Sequence, residues 1–437
     1  MSAVLCVDVG STFTKALLVA VPDGAVLATA AHPTTPPEVL DGVAAVRAAA
    51  EASAGCRADT VLACSSAGGG LRIAVVGYER LVTAEAGRRV ALTAGGRVVH
   101  VHAGLLEEPD VDVLGTVRAD VVLLVGGTDG GDCDVLLANA RRLGAARLSV
   151  PVVVAGNAEA APQAARELER RRRRVLVAPN VLPRIGAFEP TGARSAIRDL
   201  FLRHVIGGKG LSRGTRFARL VQAPTPDAVL TGIEVLAELE GNVLVVDVGG
   251  ATTDVYSVLA EPRQEGTAAG TPAAARTVEG DLGVRSSAPG VVVAAASERL
   301  LAPGEQDVLT GYATAVAADP GRLPGGELDA ERDLRLAELA VTIALRRHGR
   351  GTPAAEPRPL RDVRLVVGSG GVLRHADDEA RRRVLTPAVT DHAGGWQVPE
   401  RARTTVDVRY VLFAAGLLAR DSPAAARALV RGATMTA

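Results

Sequence analysis

One pattern occurs twice in this chain and limits what it can fold into. The run "VLCVDVGSTFTKALLV", residues 4 to 19, is apolar up to Asp8, turns through Gly10, Ser11 and Thr12, and resumes as a second apolar strand carrying Lys15. The run "NVLVVDVGGATTDVYSVL", residues 242 to 259, breaks at Asp247, turns through Gly249 and Gly250, and resumes with Asp254. Apolar runs of this length on both sides of a glycine turn predict a β-hairpin. Two hairpins about 240 residues apart predict a duplicated domain, with halves at 1–240 and 241–437 and the helix over 225–241 as the joint.

The segments between the hairpins alternate strand and helix, the pattern of an α/β protein. "LATAAH" predicts a third strand that completes a β-meander, and a helix follows over 37–53. "ADTVLACSS" and "LRIAVVGY" are strands separated by the "SAGGG" turn, and a helix capped by Thr83 comes next. "ADVVLLVGGTDGGD", residues 119–132, is a buried strand ending in a glycine turn, and "VPVVVAGN" repeats the plan before a helix. The arginine run 170–174 closes that helix, where cations suit the negative end of the dipole and a solvated face is expected. "EPTGARSAIRDLFLRHVIGGKGL" predicts one amphipathic helix stopped by Gly207 and Gly208, and the 225–241 helix has Thr225 as N-cap and Pro226 at its first position. A long helix through "GGELDAERDLRLAELAVTIALRRHG", a strand ending at Gly368-Ser369-Gly370-Gly371, and a closing helix in "DVRYVLFAAGLLAR" complete the second half. The Pro/Gly/Ala-rich stretches at 261–275 and 349–359 read as loops.

Composition narrows the function. Basic and acidic residues balance at 49 each, so the electrostatic footprint of a nucleic-acid binder is missing. No apolar run reaches the roughly 18 residues of a membrane span, and the N-terminus enters a strand instead of a signal-peptide core; a cytoplasmic protein is expected. Cys6, Cys56, Cys64 and Cys133 form no CxxC pair, which speaks against zinc, Fe–S or disulfide chemistry and for small buried thiols. Only two lysines, Lys15 and Lys209, stand among the 49 basic residues, and one of them is in the first hairpin.

A hairpin tip of glycine and small hydroxyl residues presents several backbone N–H groups on one side, a concave nest for phosphate. An aspartate just before the tip cannot hold phosphate, but it can hold Mg²⁺ through water or position the water that attacks a γ-phosphate. Neither turn is a Walker A loop or a Rossmann GxGxxG.

Taken together, "DVGSTFTK", "DVGGATTD" and "VGSGGVL" resemble the two phosphate loops and the adenosine loop of the actin/Hsp70/sugar-kinase ATPase superfamily. The resemblance implies two ribonuclease H-like domains around a nucleotide cleft, with ATP and Mg²⁺ as cofactors. It makes Asp8 a water-mediated Mg²⁺ partner and Gly10, Ser11 and Thr12 the cradle of the β- and γ-phosphates, with Lys15 a phosphate contact. Asp247 would orient Mg²⁺ or the attacking water. Gly249, Gly250, Ala251 and Thr252 would hold the phosphates from the other side, and Gly368, Ser369, Gly370 and Gly371 would lie against adenosine. "GGTDGGD" matches none of the three loops; Thr128 and Asp129 are candidate γ-phosphate or catalytic water contacts, with a structural turn as the other reading.

Further strings, among them "SSAGGGLRIAVVG", "TAEAGRRVAL", "LLVGGTDGGD", "NVLPRIG", "TVEGDLGVRSSA" and "YVLFAAGLL", make nearly the whole chain resemble the MutL/GlmL family associated with adenosylcobalamin-dependent glutamate mutase. That resemblance implies an ATP-dependent reactivating chaperone that opens a mutase client so that damaged cobalamin leaves. A homodimer and a small partner subunit both stay open. The chain lacks the D-x-H-x-x-G string of cobalamin-binding subunits. The competing readings are a small-molecule kinase on the same fold, a filament-forming actin relative, and an Fe–S radical-enzyme activator, the last nearly removed by the scattered cysteines.

Overall fold

A computed structural model describes residues 2–170, 172–213, 215–259, 273–351 and 357–434 of the chain. The expected loops at 261–275 and 349–359, and Arg171 of the arginine run, lie wholly or partly outside these residues. In chain order the strands are β1 Ser2–Val9, β2 Phe13–Val21, β3 Val26–Pro33, β4 Thr60–Ser65, β5 Leu71–Gly77, β6 Gly96–Ala103, β7 Val121–Leu124 and β8 Val152–Val154. There follow β9 Val175–Val177, β10 Val221–Pro224, β11 Val243–Val248, β12 Thr253–Val258, β13 Ala274–Glu279, β14 Leu365–Ser369 and β15 Arg403–Val406.

Two of the three sheets share one topology. The first runs β3-β2-β1-β4-β10 and the second β13-β12-β11-β14-β15. In each, the opening three strands form an antiparallel meander and the last two join in parallel. The fold is therefore α/β with two ribonuclease H-like units, each opened by one of the repeated hairpins.

The third sheet, β6-β5-β7-β8-β9, is wholly parallel and is inserted between β4 and β10. The "SAGGG" turn expected between two neighbouring strands is where the chain leaves the first sheet for this one. Its central strands β7 and β8 are short and buried on both faces, as parallel strands covered by helices are.

Strand alternation decides where the two aspartates point. On β1, Leu5, Val7 and Val9 pack with Val39, Val43 and Val46 of the Val39–Ala54 helix. Val4 and Cys6, on the other face, join a core shared with the second half. On β11, Leu244, Val246 and Val248 face the second half's own core, and Val243 and Val245 face the shared one. Side chains alternate with a period of two, so Asp8 and Asp247 both lie on the faces turned toward the shared core.

That core is built on the crossing of two helices, Thr225–Glu240 from the first half and Leu412–Leu418 from the second. Gly232 backs directly onto the Leu412 carbonyl and Gly416 onto that of Ala228; a Cβ at either position would fall inside the facing oxygen. Small residues at these positions let the backbones approach closely.

Several helix ends differ from expectation. The 225–240 helix begins at Thr225 with Pro224 as its cap residue, because the Thr225 hydroxyl is used elsewhere. Thr83 is likewise inside its helix, and its hydroxyl ties down the Tyr78 and Glu79 amides. The helix expected through residue 206 is α-helical only over Thr191–Leu200 and continues as π and 3₁₀ turns to Lys209. The closing helix starts at Leu412 and is followed by a further one, Pro423–Thr434.

Gly416→Ala is expected to destabilise the protein by about 1–3 kcal/mol through overpacking. Gly311→Ala, in the Glu305–Ala318 helix with no atom near the added methyl, should instead gain up to about 1 kcal/mol of helix propensity. Urea unfolding of the two variants checks this, and similar midpoints for both would contradict the packing argument.

Candidate functional site

The two hairpin tips are built alike. Gly10 N–H donates to the Phe13 carbonyl at 3.1 Å, and Gly249 N–H donates to that of Thr252 at 2.9 Å. A Cβ on Gly10 would come 2.8 Å from the Phe13 oxygen, and one on Gly249 would come 2.8 Å from the Thr252 oxygen. Close backbone approach, not positive φ, is what requires glycine at both positions.

Each tip is braced from behind. Thr34 Oγ1 donates to the Gly10 carbonyl at 2.8 Å, and the Ser11 hydroxyl donates to the Ser66 carbonyl at 3.3 Å. Behind the second tip, Val284 N–H donates to Gly249 and Arg285 N–H to Gly250. The Ser287 hydroxyl reaches the Ala251 carbonyl at 2.7 Å, and Arg285 is held in turn by Asp333. The third loop comes alongside because β14 pairs with β11 in a register that sets Ser369 opposite Asp247. Gly370, at φ +106°, backs onto the Val248 carbonyl with no room for a side chain.

The hairpins differ at one equivalent position. Asp8 pairs with Lys15 across β1 and β2, and Asp247 pairs with Asp254 across β11 and β12. The first hairpin thus offers a carboxylate and an ammonium, the second two carboxylates.

Asp8 is buried, and its carboxylate has three neighbours. Thr225 Oγ1 donates to Oδ1 at 2.6 Å, the Tyr410 hydroxyl donates to Oδ2 at 3.3 Å, and Cys64 Sγ lies 3.7 Å from Oδ1. Hydrogen bonds to a charged group contribute roughly 1.5–3 kcal/mol each. The 225–240 helix, which crosses the core, is therefore pinned at its first residue to the aspartate of the first hairpin.

Tyr410 stands between the halves. It follows β15 at φ +56°, uncommon for a residue with a bulky side chain. Its turn is held by the buried Asp407, which accepts the Val411 and Leu412 amides. Lys15 Nζ lies 4.0 Å from the Tyr410 ring centroid, a cation–π contact, and Arg374 lies 5.5 Å from the same ring. Burial, followed by the charges of Asp8 and Asp247, pushes the Tyr410 phenol well above its usual value.

Asp247 carries the signature of crowded negative charge. Burial and the neighbouring Asp254 push its carboxyl from 3.8 up to about 6, against the pull of Lys15 and of a hydrogen bond from Ser369. Asp254 Oδ2 accepts from Arg276 at 2.9 Å, and its Oδ1 is buried without a hydrogen-bond partner. An orphaned carboxylate oxygen beside a destabilised carboxylate suits a hard divalent cation with oxygen ligands. Arg276 also donates to the Leu92 and Gly96 carbonyls, linking this corner to the inserted unit.

Of the residues expected to form one site, the structure brings together Asp8, Lys15, Asp247 and Ser369 around Tyr410, with the three glycine loops at their edges. Thr128 and Asp129 lie on the turn after β7, in the inserted unit. Asp129 Oδ1 accepts from Asn180 Nδ2 at 2.8 Å and from Ala158 N–H at 2.9 Å, and Asn157 Nδ2 donates to the Thr128 carbonyl at 2.7 Å. The turn thereby braces the loops after β8 and β9. Thr225, Tyr410 and Asp407 were missed; each follows the fifth strand of a sheet, a position visible only once the sheet order is known. The cysteines are all free, Cys6 and Cys64 buried as expected, Cys133 half-buried and Cys56 exposed.

The raised Asp247 value has a definite sign. A folded-state carboxyl titrating near 6 against 3.8 costs stability where it is charged, and that cost is relieved as pH falls through 6 toward 3.8. Asp247→Asn is therefore expected to melt above the wild type at pH 7.5, with the advantage closing between about pH 6 and pH 4. Thermal unfolding across that range checks it; a constant gap would contradict the assignment.

The family model described as MutL protein matches residues 4–433. Protein MutL of Clostridium tetanomorphum is 34% identical over 451 residues, covering 97% of each chain. Solved structures with a similar course include a nucleotide-free acetone carboxylase, at TM-score 0.42 and 15% identity over 96% of this chain and 70% of that one. Another is component A of (R)-2-hydroxyglutaryl-CoA dehydratase from Acidaminococcus fermentans, at TM-score 0.32 and 10% identity over 99% and 100%. On the family match and the full-length identity together, this chain belongs to the MutL protein family.

Proposed function

We propose that the chain binds ATP with Mg²⁺ between its two hairpins, hydrolyses it, and uses the cycle to reactivate an adenosylcobalamin-dependent mutase. The observation that carries the nucleotide part is the convergence of two like-built glycine tips with Asp8, Lys15 and Asp247 around Tyr410, with Asp254 beside Asp247. The client rests on membership of the family and on the resemblance that associates this family with glutamate mutase. Fold alone does not select a client.

In this reading the amides of Gly10, Ser11 and Thr12 and those of Gly249, Gly250, Ala251 and Thr252 hold the phosphates from two sides. Lys15 leaves the Tyr410 ring for a phosphate oxygen. Asp247 and Asp254 would hold Mg²⁺, with Asp8 a further partner through water, and the ion would neutralise phosphate charge. Asp247 orients the attacking water, and Gly368 to Gly371 lie against adenosine. Thr128 and Asp129 have a bracing role in the inserted unit. Among the described residues no three His, Cys, Asp or Glu side chains cluster as a metal site, so the nucleotide and water would supply most of the coordination. Among the same residues no helix is long and apolar enough to cross a membrane.

Motion follows from the architecture. The two halves meet through the 225–240 and 412–418 helices, and hinge or shear closure at such a contact is how domains grip a ligand between them. A client touching both the inserted unit and the second half would feel that closure.

Asp8→Ala and Asp247→Ala should each reduce ATP turnover by about 10²-fold or more with the fold retained, read by phosphate release and circular dichroism. Wild-type protein with ATP should restore a cobalamin-inactivated aminomutase, and the two variants should not. Rapid phosphorylation of a metabolite with no recovery of any such mutase would sink the chaperone reading in favour of a kinase.

A further inference from the structure

The arginine run singled out in the sequence does not form a solvated helix face. The helix before it ends at Glu169, and Arg172, at φ +57°, turns the chain back toward β9. Arg173 is turned inward: its guanidinium donates to the carbonyls of Leu143, Ala146 and Leu148. This fixes the loop before β8 and sets Arg172 and Arg174 on either side of it.

These residues edge a cavity of about 380 Å³ at the amino ends of β7, β8 and β9, where Asp120, Pro151 and Arg174 each stand just before a strand. Lys209, the second of only two lysines in the chain, closes it from the 206–209 turn, beside His204. The lining holds one carboxylate, and that one is already satisfied. Asp120 accepts from Lys209 Nζ at 2.8 and 3.0 Å and from the Arg72 amide at 2.8 Å. Among the described residues of the lining, Arg172 and Arg174 face no further acid, while Arg173 is engaged with its three carbonyls.

The positive charge is packed closely. Arg174 Nη1 lies 2.6 Å from His204 Nδ1. A guanidinium can only donate, so His204 accepts at Nδ1 and carries its proton on Nε2, which adds a donor without adding charge. Burial and the charges of Arg174 and Arg203 hold that imidazole below its usual value. The remaining wall is Ser149 and the apolar Leu148, Pro151 and Val205.

We propose that this cavity is a second anion site, separate from the cleft between the hairpins, that takes a small organic molecule carrying a diphosphate or larger polyphosphate group. The planar guanidinium forks of Arg172 and Arg174 match phosphate oxygens two at a time, His204 Nε2–H adds a neutral donor, and the apolar part of the wall receives the organic part. The volume is that of a small-molecule site, and a pocket edged by one short cationic turn suits a compact phosphate group better than an extended acidic peptide.

The site has a physical connection to the first hairpin. The stem of Lys209 packs on Gly68 of the 66–70 turn, where a Cβ would meet the lysine Cβ at 3.2 Å. The Ser66 carbonyl of that same turn accepts the Ser11 hydroxyl.

The test uses the full-length protein with AMPPNP and Mg²⁺ saturating the cleft, titrated calorimetrically with inorganic pyrophosphate, and repeated without nucleotide. The expected result is one pyrophosphate site that persists under AMPPNP, weakened about tenfold or more in Arg172→Gln/Arg174→Gln, with AMPPNP affinity unchanged. The single variant Arg172→Gln should give a smaller loss in the same direction, should the double variant fold poorly. No pyrophosphate uptake in either format would overturn the proposal. So would an affinity indifferent to both variants, a parallel loss of AMPPNP binding, or tighter binding of a glutamate oligomer than of pyrophosphate. Because the titration without nucleotide compares the same variants, failure of AMPPNP to bind would count against the hairpin cleft and not against this cavity.

Discussion

The contact on which the rest of the molecule depends is the crossing of the 225–240 and 412–418 helices at Gly232 and Gly416. Each helix follows the fifth strand of one sheet and carries at its start a side chain that organises the cleft. Thr225 opens one helix and donates to Asp8; Tyr410 and Asp407 precede the other, Tyr410 donating to Asp8 and Asp407 holding the turn. Because the crossing is a backbone-to-backbone contact, the distance between the helices is set by two carbonyl oxygens and leaves no slack for side-chain rearrangement.

The duplicated α/β fold was legible in the sequence because its signal is local. A strand broken at an aspartate and a glycine tip can be recognised in 16 residues, and its recurrence announces the second unit. The inserted sheet was not legible, because β4 and β5 are separated by the same kind of short glycine turn that joins neighbouring strands. Which sheet a strand enters depends on pairing partners far along the chain. The same limit explains the site. Asp8, Lys15, Asp247 and the three glycine loops are read from motifs, whereas Thr225 and Tyr410 have ordinary neighbours and gain their roles only through the helix crossing. Thr225 had the look of a helix cap, and the nearby carboxylate competed successfully for its hydroxyl. In the turn after β7, Asp129 Oδ1 and the Thr128 carbonyl brace loops of their own sheet, a role that composition alone does not display.

Arginine is used here as a structural fastener wherever a loop must be held. Arg173 gathers three carbonyls, Arg285 is clamped by Asp333 behind the second glycine tip, and Arg276 joins Asp254 to the Leu92 and Gly96 carbonyls. A guanidinium can satisfy several acceptors in one plane, which an ammonium does less well. Against that background the two lysines stand out by position: one in the first hairpin, one at the basic cavity.

The pairing of Asp8 with Lys15 in one hairpin and of Asp247 with Asp254 in the other has a geometric consequence. A duplicated fold with identical hairpins would carry an approximate two-fold axis through its cleft, and an asymmetric ligand could enter in either of two equivalent ways. Exchanging one charge at one register position abolishes that equivalence. The two hairpins thereby differ in charge at matching positions, and a ligand held between them would meet unlike ends.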